Sequence, residues 1–188
     1  MESEGTKARL QATQKQLALF RYENRLFNLL LDQGGRFDLT SLPEAPALIR
    51  SEDRTRSVQL TVQETSARLG LLRTRLASQQ RTLVLKQELV NSLRPVYESG
   101  GIAKFNYLNS IDELQRLESQ IAETSQQLTA TTGQAARQVS SNSRQILSLE
   151  AQLVALEEQR RNLTLKAQQS GEVFNLSVGI GSVIGSGS

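Results

Sequence analysis

Two long stretches of this chain space their apolar residues alternately three and four apart. Over such lengths that pattern fits little besides long helices packed along a seam. In the middle stretch the first seam position, a, holds Val62, Leu69, Leu76, Leu83, Val90 and Tyr97. Its second, d, is mixed: Thr65, Leu72, Gln79, Lys86 and Leu93. The later stretch is the reverse. Its d positions run Tyr107, Leu114, Ile121, Leu128, Ala135, Asn142, Leu149, Leu156 and Leu163, whereas a includes Glu118, Ser125, Thr132 and Arg160. Each helix is strong on one half-seam only.

An antiparallel hairpin brings the a residues of one helix onto the d residues of the other, and opposed residue numbers add to a constant. Tyr97 with Tyr107, Val90 with Leu114, and Leu76 with Leu128 all add to 204. The midpoint, residue 102, follows Gly100-Gly101, where a chain reverses easily. The same register sets Lys86 against Glu118 and Gln79 against Ser125, so polar seam residues meet. Such layers cost stability and fix alignment. The alternative for Lys86 and Glu118 is that each reaches water on its own.

Glycine and proline punctuate the 188 residues sparsely, with twelve Gly and three Pro. They divide the chain into a helix over 6–32, an irregular link over 33–53, a helix over 54–98, a tip over 99–104 and a helix over 105–165. The expected fold class is all-α, a long antiparallel coiled-coil hairpin over 6–165. The first helix repeats Leu10, Leu17, Asn24 and Leu31 at a, with Thr13, Phe20 and Phe27 at d. Either it stacks end to end with the second helix along the third, or the three form a local three-helix base. Gly133 and the polar run Thr129 to Gln145 predict a soft spot or bend, since Gly costs about 1 kcal/mol relative to Ala. Residues 166–184 alternate in period two and read as short strands. Gly185-Ser-Gly-Ser reads as an appended linker.

Composition excludes several chemistries. Cys and His are both absent, which removes thiol nucleophiles, disulfides, His-based metal sites and His general bases. Aromatics make up 4% with no Trp, too few for a large globular core. Asp112-Glu113 and Glu157-Glu158 are neighbours on a helix and point apart. Ser141, Ser143 and Ser148 have no His partner. Gly179-Ile-Gly-Ser lacks the Lys of a phosphate loop. We therefore expect no enzyme activity and no cofactor. Segment 54–86 carries seven cations against Glu64 alone, but lacks the interleaved aromatics of a single-strand binder, so no nucleic-acid partner is expected. No apolar run approaches the ~20 residues of a membrane span, and no signal-peptide pattern is present.

Three patches resemble the HlyD-like family, the periplasmic adaptor (membrane fusion) proteins of type I secretion and ABC efflux systems. They are the link Gln33 to Ala47 with Leu39, Leu42 and Pro43, the tip Glu98-Ser-Gly-Gly-Ile-Ala-Lys-Phe-Asn-Tyr-Leu, and Leu163-Thr-Leu-Lys-Ala-Gln-Gln-Ser-Gly-Glu-Val-Phe-Asn-Leu. The third is similar to the second half of a lipoyl-like domain, which implies that 166–184 is a partial lipoyl segment. Gln168 stands where the family usually has Pro. The Arg, Leu and Ser that many drug-efflux relatives carry around the tip are replaced by Ser92, Val96 and Ala103. The resemblance implies a periplasmic hairpin from a protein anchored in the inner membrane of a Gram-negative-type bacterium, excised from its remaining domains. It implies as partners an ABC transporter, an outer-membrane TolC-like channel at the tip and copies of itself, six in the family. The candidate contact residues are Ser99, Gly100, Gly101, Ile102, Ala103 and Lys104, with Arg94 nearby. Among Tyr97, Phe105 and Tyr107, an exposed ring would mark a contact. The alternative function is a structural coiled-coil tether or spacer with no transport role.

Overall fold

The computed structural model describes residues 4–34 and 42–162, and all regular structure among them is α-helical. The expected β-like segment 166–184, and helix beyond 162, lie outside the described residues. Three helices follow one another: α1 (Glu4–Asp32), α2 (Asp53–Glu98) and α3 (Lys104–Asn162). α3 has 59 residues and, at ~1.5 Å per residue, is roughly 90 Å long. It packs against both other helices and runs unbroken through Gly133.

The base is a three-helix assembly. Lys15 pairs with Glu52 at 2.9 Å, and the Gln59 amide donates to the Tyr22 hydroxyl at 2.9 Å. Both contacts join residues thirty-seven apart, so α1 and the start of α2 run side by side in the same direction, not end to end. On the other side Arg21 reaches Glu150 at 2.7 Å and Asn24 reaches Ser143 at 3.2 Å, so α1 is antiparallel to α3.

Burial along α1 follows this change of partners. In its first half only the narrow stripe Thr6, Leu10, Thr13 and Leu17 is buried, as one neighbouring helix requires. Farther along, Leu19, Tyr22, Leu26, Phe27 and Leu30 form a wider face. Leu26 and Leu30 are fully buried and share a cluster with Ile49, Val62, Leu69 and Ala135. Each such leucine contributes about 1.5–3 kcal/mol through removal from water. The described part of the link closes this core. Ala45 and Ile49 are buried in it, and the Tyr22 hydroxyl donates to the Pro43 carbonyl at 2.9 Å. Thr55 donates to the Ile49 carbonyl at 2.7 Å and fixes the entry into α2.

Above Gly34, α2 and α3 continue as an antiparallel two-helix arm. The inward face of α2 is the one its heptads predict, from Val62 through Leu69, Leu72 and Val90 to Tyr97. That of α3 is not. Glu118 and Ser125 are exposed, and the buried residues beside the d row are Leu117, Thr124 and Thr131, one position earlier. From Ala135 downwards the seam returns to the expected row with Val139, Asn142, Ile146 and Leu149. The change of row falls where α1 joins the bundle, because α3 then turns its inner face toward two helices.

Threonines in the α3 seam are satisfied within their own helix. Thr124, Thr131 and Thr132 donate to the carbonyls of Gln120, Gln127 and Leu128 at 2.8–2.9 Å. The polar run of α3 therefore packs without unpaired hydroxyls at these positions. The shifted row has a measurable consequence. Leu117→Ala should destabilise the protein by about 2 kcal/mol. Glu118→Ala should leave the thermal midpoint nearly unchanged, with both read from helicity during melting.

Candidate functional site

The hairpin tip is built by a glycine-dependent helix stop. Pro95 lies in the last turns of α2 and offers no N–H to the Asn91 carbonyl. The helix ends at Ser99. Gly100 takes φ +78°, a left-handed conformation that favours glycine. Its N–H donates to the Tyr97 carbonyl at 2.9 Å, and the Gly101 N–H donates to the Val96 carbonyl at 2.8 Å. This double bond pattern satisfies the last carbonyls of the helix. Gly101 is required for a second reason. A Cβ there would lie 2.9 Å from Val96 Cγ1 and 3.2 Å from the Val96 carbonyl oxygen.

The next helix starts at once. The Ala103 carbonyl accepts from Asn106 at 3.0 Å, and Lys104 is the first residue of α3. Tyr97 and Tyr107 stack across the arm with ring centroids 4.8 Å apart and planes 11° from parallel. Their numbers add to 204, the expected alignment at this layer.

Of the predicted tip residues, Ser99, Gly100, Gly101, Ala103 and Lys104 are exposed, and Ile102 is half-buried. Arg94 is exposed too, but Nε donates to the Tyr107 hydroxyl at 3.4 Å, so it braces the stacked rings. That bond favours the charged guanidinium and raises its pKa. The exposed ring is Phe105, 71% accessible, and Val96 and Leu108 are exposed as well. Heptad spacing does not single out Val96 and Leu108, because both fall on the flanks of the seam and not in it.

The polar layer is built differently from expectation. Lys86 Nζ bonds Glu113 Oε2 at 2.6 Å, while Glu118 is exposed. The expected Lys86–Glu118 pairing is thus replaced, because the inward row of α3 is the one holding Leu117, and Glu118 turns outward. Likewise Gln79 keeps its Oε1 buried without a hydrogen-bond partner, and Ser125 is exposed. The hydrogen bond and charge of Lys86 hold the Glu113 carboxyl below the usual carboxylate range.

Among the described residues, no group of three or more Asp or Glu is placed to hold a metal ion, and no helix is long and apolar enough to cross a membrane. A groove of about 320 Å³ opens in the base and is lined by Glu23, Phe27, Glu64, Arg68, Thr131 and Gln138 among others. Gln138 holds the Glu23 carboxylate at 3.0 Å. Comparison with protein-family models, with curated proteins and with solved structures gives no match to this chain.

Two outcomes follow from this geometry. Gly100→Ala should lower stability by about 1 kcal/mol through the left-handed backbone it must adopt. Gly101→Ala should also destabilise by forcing Val96 aside, and chemical denaturation of both variants checks this. The depressed Glu113 carboxyl stabilises the folded state above the ordinary carboxylate pKa, and the contribution is lost as pH falls through the lower folded value. An NMR titration should show Glu113 returning to the usual range in Lys86→Met.

Proposed function

We propose that this chain is the helical hairpin of an HlyD-like periplasmic adaptor. In this reading it bridges an inner-membrane ABC transporter and a TolC-like outer-membrane channel through its tip. The observation that supports the reading most is the exposed Phe105 ring beside a turn with two hydrogen-bonded glycines. A two-helix arm only has to reverse direction at its end. An aromatic side chain left in water there has no role in that reversal, and an exposed ring at the end of an arm favours a partner. Lys104 adds a cation beside it, and Ile102 a partly covered apolar side chain. The arm holds this patch far from the three-helix base, as bridging two membranes demands. A coiled-coil tether or spacer needs the length but not the patch.

The tip is tested by Lys104→Asp together with Phe105→Ser. Both residues are exposed, so helicity and melting should stay close to those of the unchanged protein. In cells carrying the whole secretion system, export of its substrate should be lost while the inner-membrane complex still assembles. Export that persists with both changes overturns docking through the tip and leaves the spacer reading.

A further inference from the structure

The groove in the three-helix base takes its walls from all three helices and includes Phe27 and Ala135, which are 4% and 2% exposed. It exists because Thr131 and Ala135 are small where the helices converge. Its volume of about 320 Å³ is at the low end of the ~300–1,000 Å³ of small-molecule sites, room for one small molecule or one long side chain. It lies in the base, and nothing about it depends on docking at the tip.

Its hydrogen-bonding capacity is one-sided. Thr61, Thr65 and Thr131 each donate the hydroxyl hydrogen to a carbonyl of their own helix, at 2.7–3.0 Å, so what remains to each is lone pairs. The Gln138 amide nitrogen donates to Glu23 at 3.0 Å and to Asn142 at 3.2 Å, which uses both its hydrogens. Glu23 is half-buried, and Gln138 holds it from α3 before any ligand arrives. Glu64 is the single acid among the seven cations of segment 54–86, and it lines this groove. It forms no ion pair among the described residues, and neither does Arg68 one turn on. Two carboxylates and three hydroxyl oxygens therefore stand against one cation and the Gln134 amide.

We propose that this groove binds the guanidinium group of an arginine, free or carried in a polypeptide, with Glu23 and Glu64 as its acceptors. A guanidinium presents five N–H donors in one plane, which suits a site rich in acceptors. It is more weakly hydrated than an ammonium and loses less on leaving water, and its face packs well on an aromatic ring such as Phe27. An anion would meet two carboxylates and one cation. A metal ion is a poor occupant, since no group of three acidic side chains is placed to hold one among the described residues. An apolar ligand would strip water from the carboxylates and give nothing in return. Exposed Arg68 disfavours a second positive charge and offers a partner to the carboxylate of a free arginine.

Calorimetry and NMR on the whole chain, at constant ionic strength, test this with acetyl-arginine amide and its citrulline counterpart. In the latter a neutral urea replaces the guanidinium at nearly the same size. The arginine compound should bind with a Kd on the order of 1 mM and shift the Gln138 and Thr65 signals. The citrulline compound should bind about tenfold more weakly, and Glu23→Gln with Glu64→Gln should weaken the arginine compound by a similar factor. Free arginine binding more tightly than the blocked form, with that advantage lost in Arg68→Gln, identifies the free amino acid as the source. Tighter binding of arginine within a short neutral peptide identifies a polypeptide. Citrulline equal to arginine, no binding of the arginine compound at about 20 mM, or a double variant that binds like the unchanged protein overturns the proposal. Circular dichroism shows whether each variant is folded, and the citrulline comparison stands on the unchanged protein alone.

Discussion

The burial of Leu26 and Leu30 of α1 against Val62, Leu69 and Ala135 organises the rest of the molecule. Two helices in isolation bury one narrow stripe each. A third helix closes the space between them and produces side chains with no exposure at all. That condition is met only from about residue 19 to the end of α1, and there the link adds Ile49 as a lid. Below this level α1 and α3 are a simple pair, and above it α2 and α3 are. The core therefore fixes the angle at which the arm leaves the base, and the arm inherits its direction from side chains far from its tip.

Small residues make the closure possible. Ala135 is buried at the point where three helices converge, and Thr131 packs one turn away. Larger side chains at these positions would hold α1 off. Polar residues farther down the α1–α3 interface limit what the core can gain. Asn142 is almost wholly buried, and its Nδ2 has no partner, as is true of Asn24 Oδ1. A buried polar group without a partner costs roughly 1–3 kcal/mol. Bonds from Asn24 to Ser143 and from Gln138 to Glu23 favour this alignment of α1 on α3 over one slipped by a turn. Stability is lower than an all-leucine layer would give, and the alignment is more definite.

Much of this was legible from the heptads. The helices begin and end within two residues of the expected bounds wherever their ends are described, and the α2 seam is the row its apolar residues mark. The α3 seam was not legible in its upper half, for a physical reason. Its expected row holds Glu118 and Ser125, and the competing row holds Leu117, Thr124 and Thr131, so neither row is uniformly apolar. Threonines that bond their own helix carbonyls are cheap to bury, and that decided the matter in favour of the latter. Lys86 followed, since the acid within reach of the new row is Glu113. At the tip the two glycines showed where the chain turns, but whether Phe105 faces water depends on Tyr97 and Tyr107 having already filled the last layer by stacking. The choice between stacked helices and a three-helix base was open because heptads in α1 look alike in both. It is settled by the Lys15–Glu52 and Tyr22–Gln59 contacts, which join residues distant in sequence.

The arm is the thinner part of the molecule, and its composition suits that. Between Leu72 and Val90 no side chain of α2 is buried, although the inward row stays partly covered. Opening there exposes little apolar surface, so local stability falls away from the base. Length alone does not make such an arm stiff, because two helices with a polar seam bend and fray at modest cost.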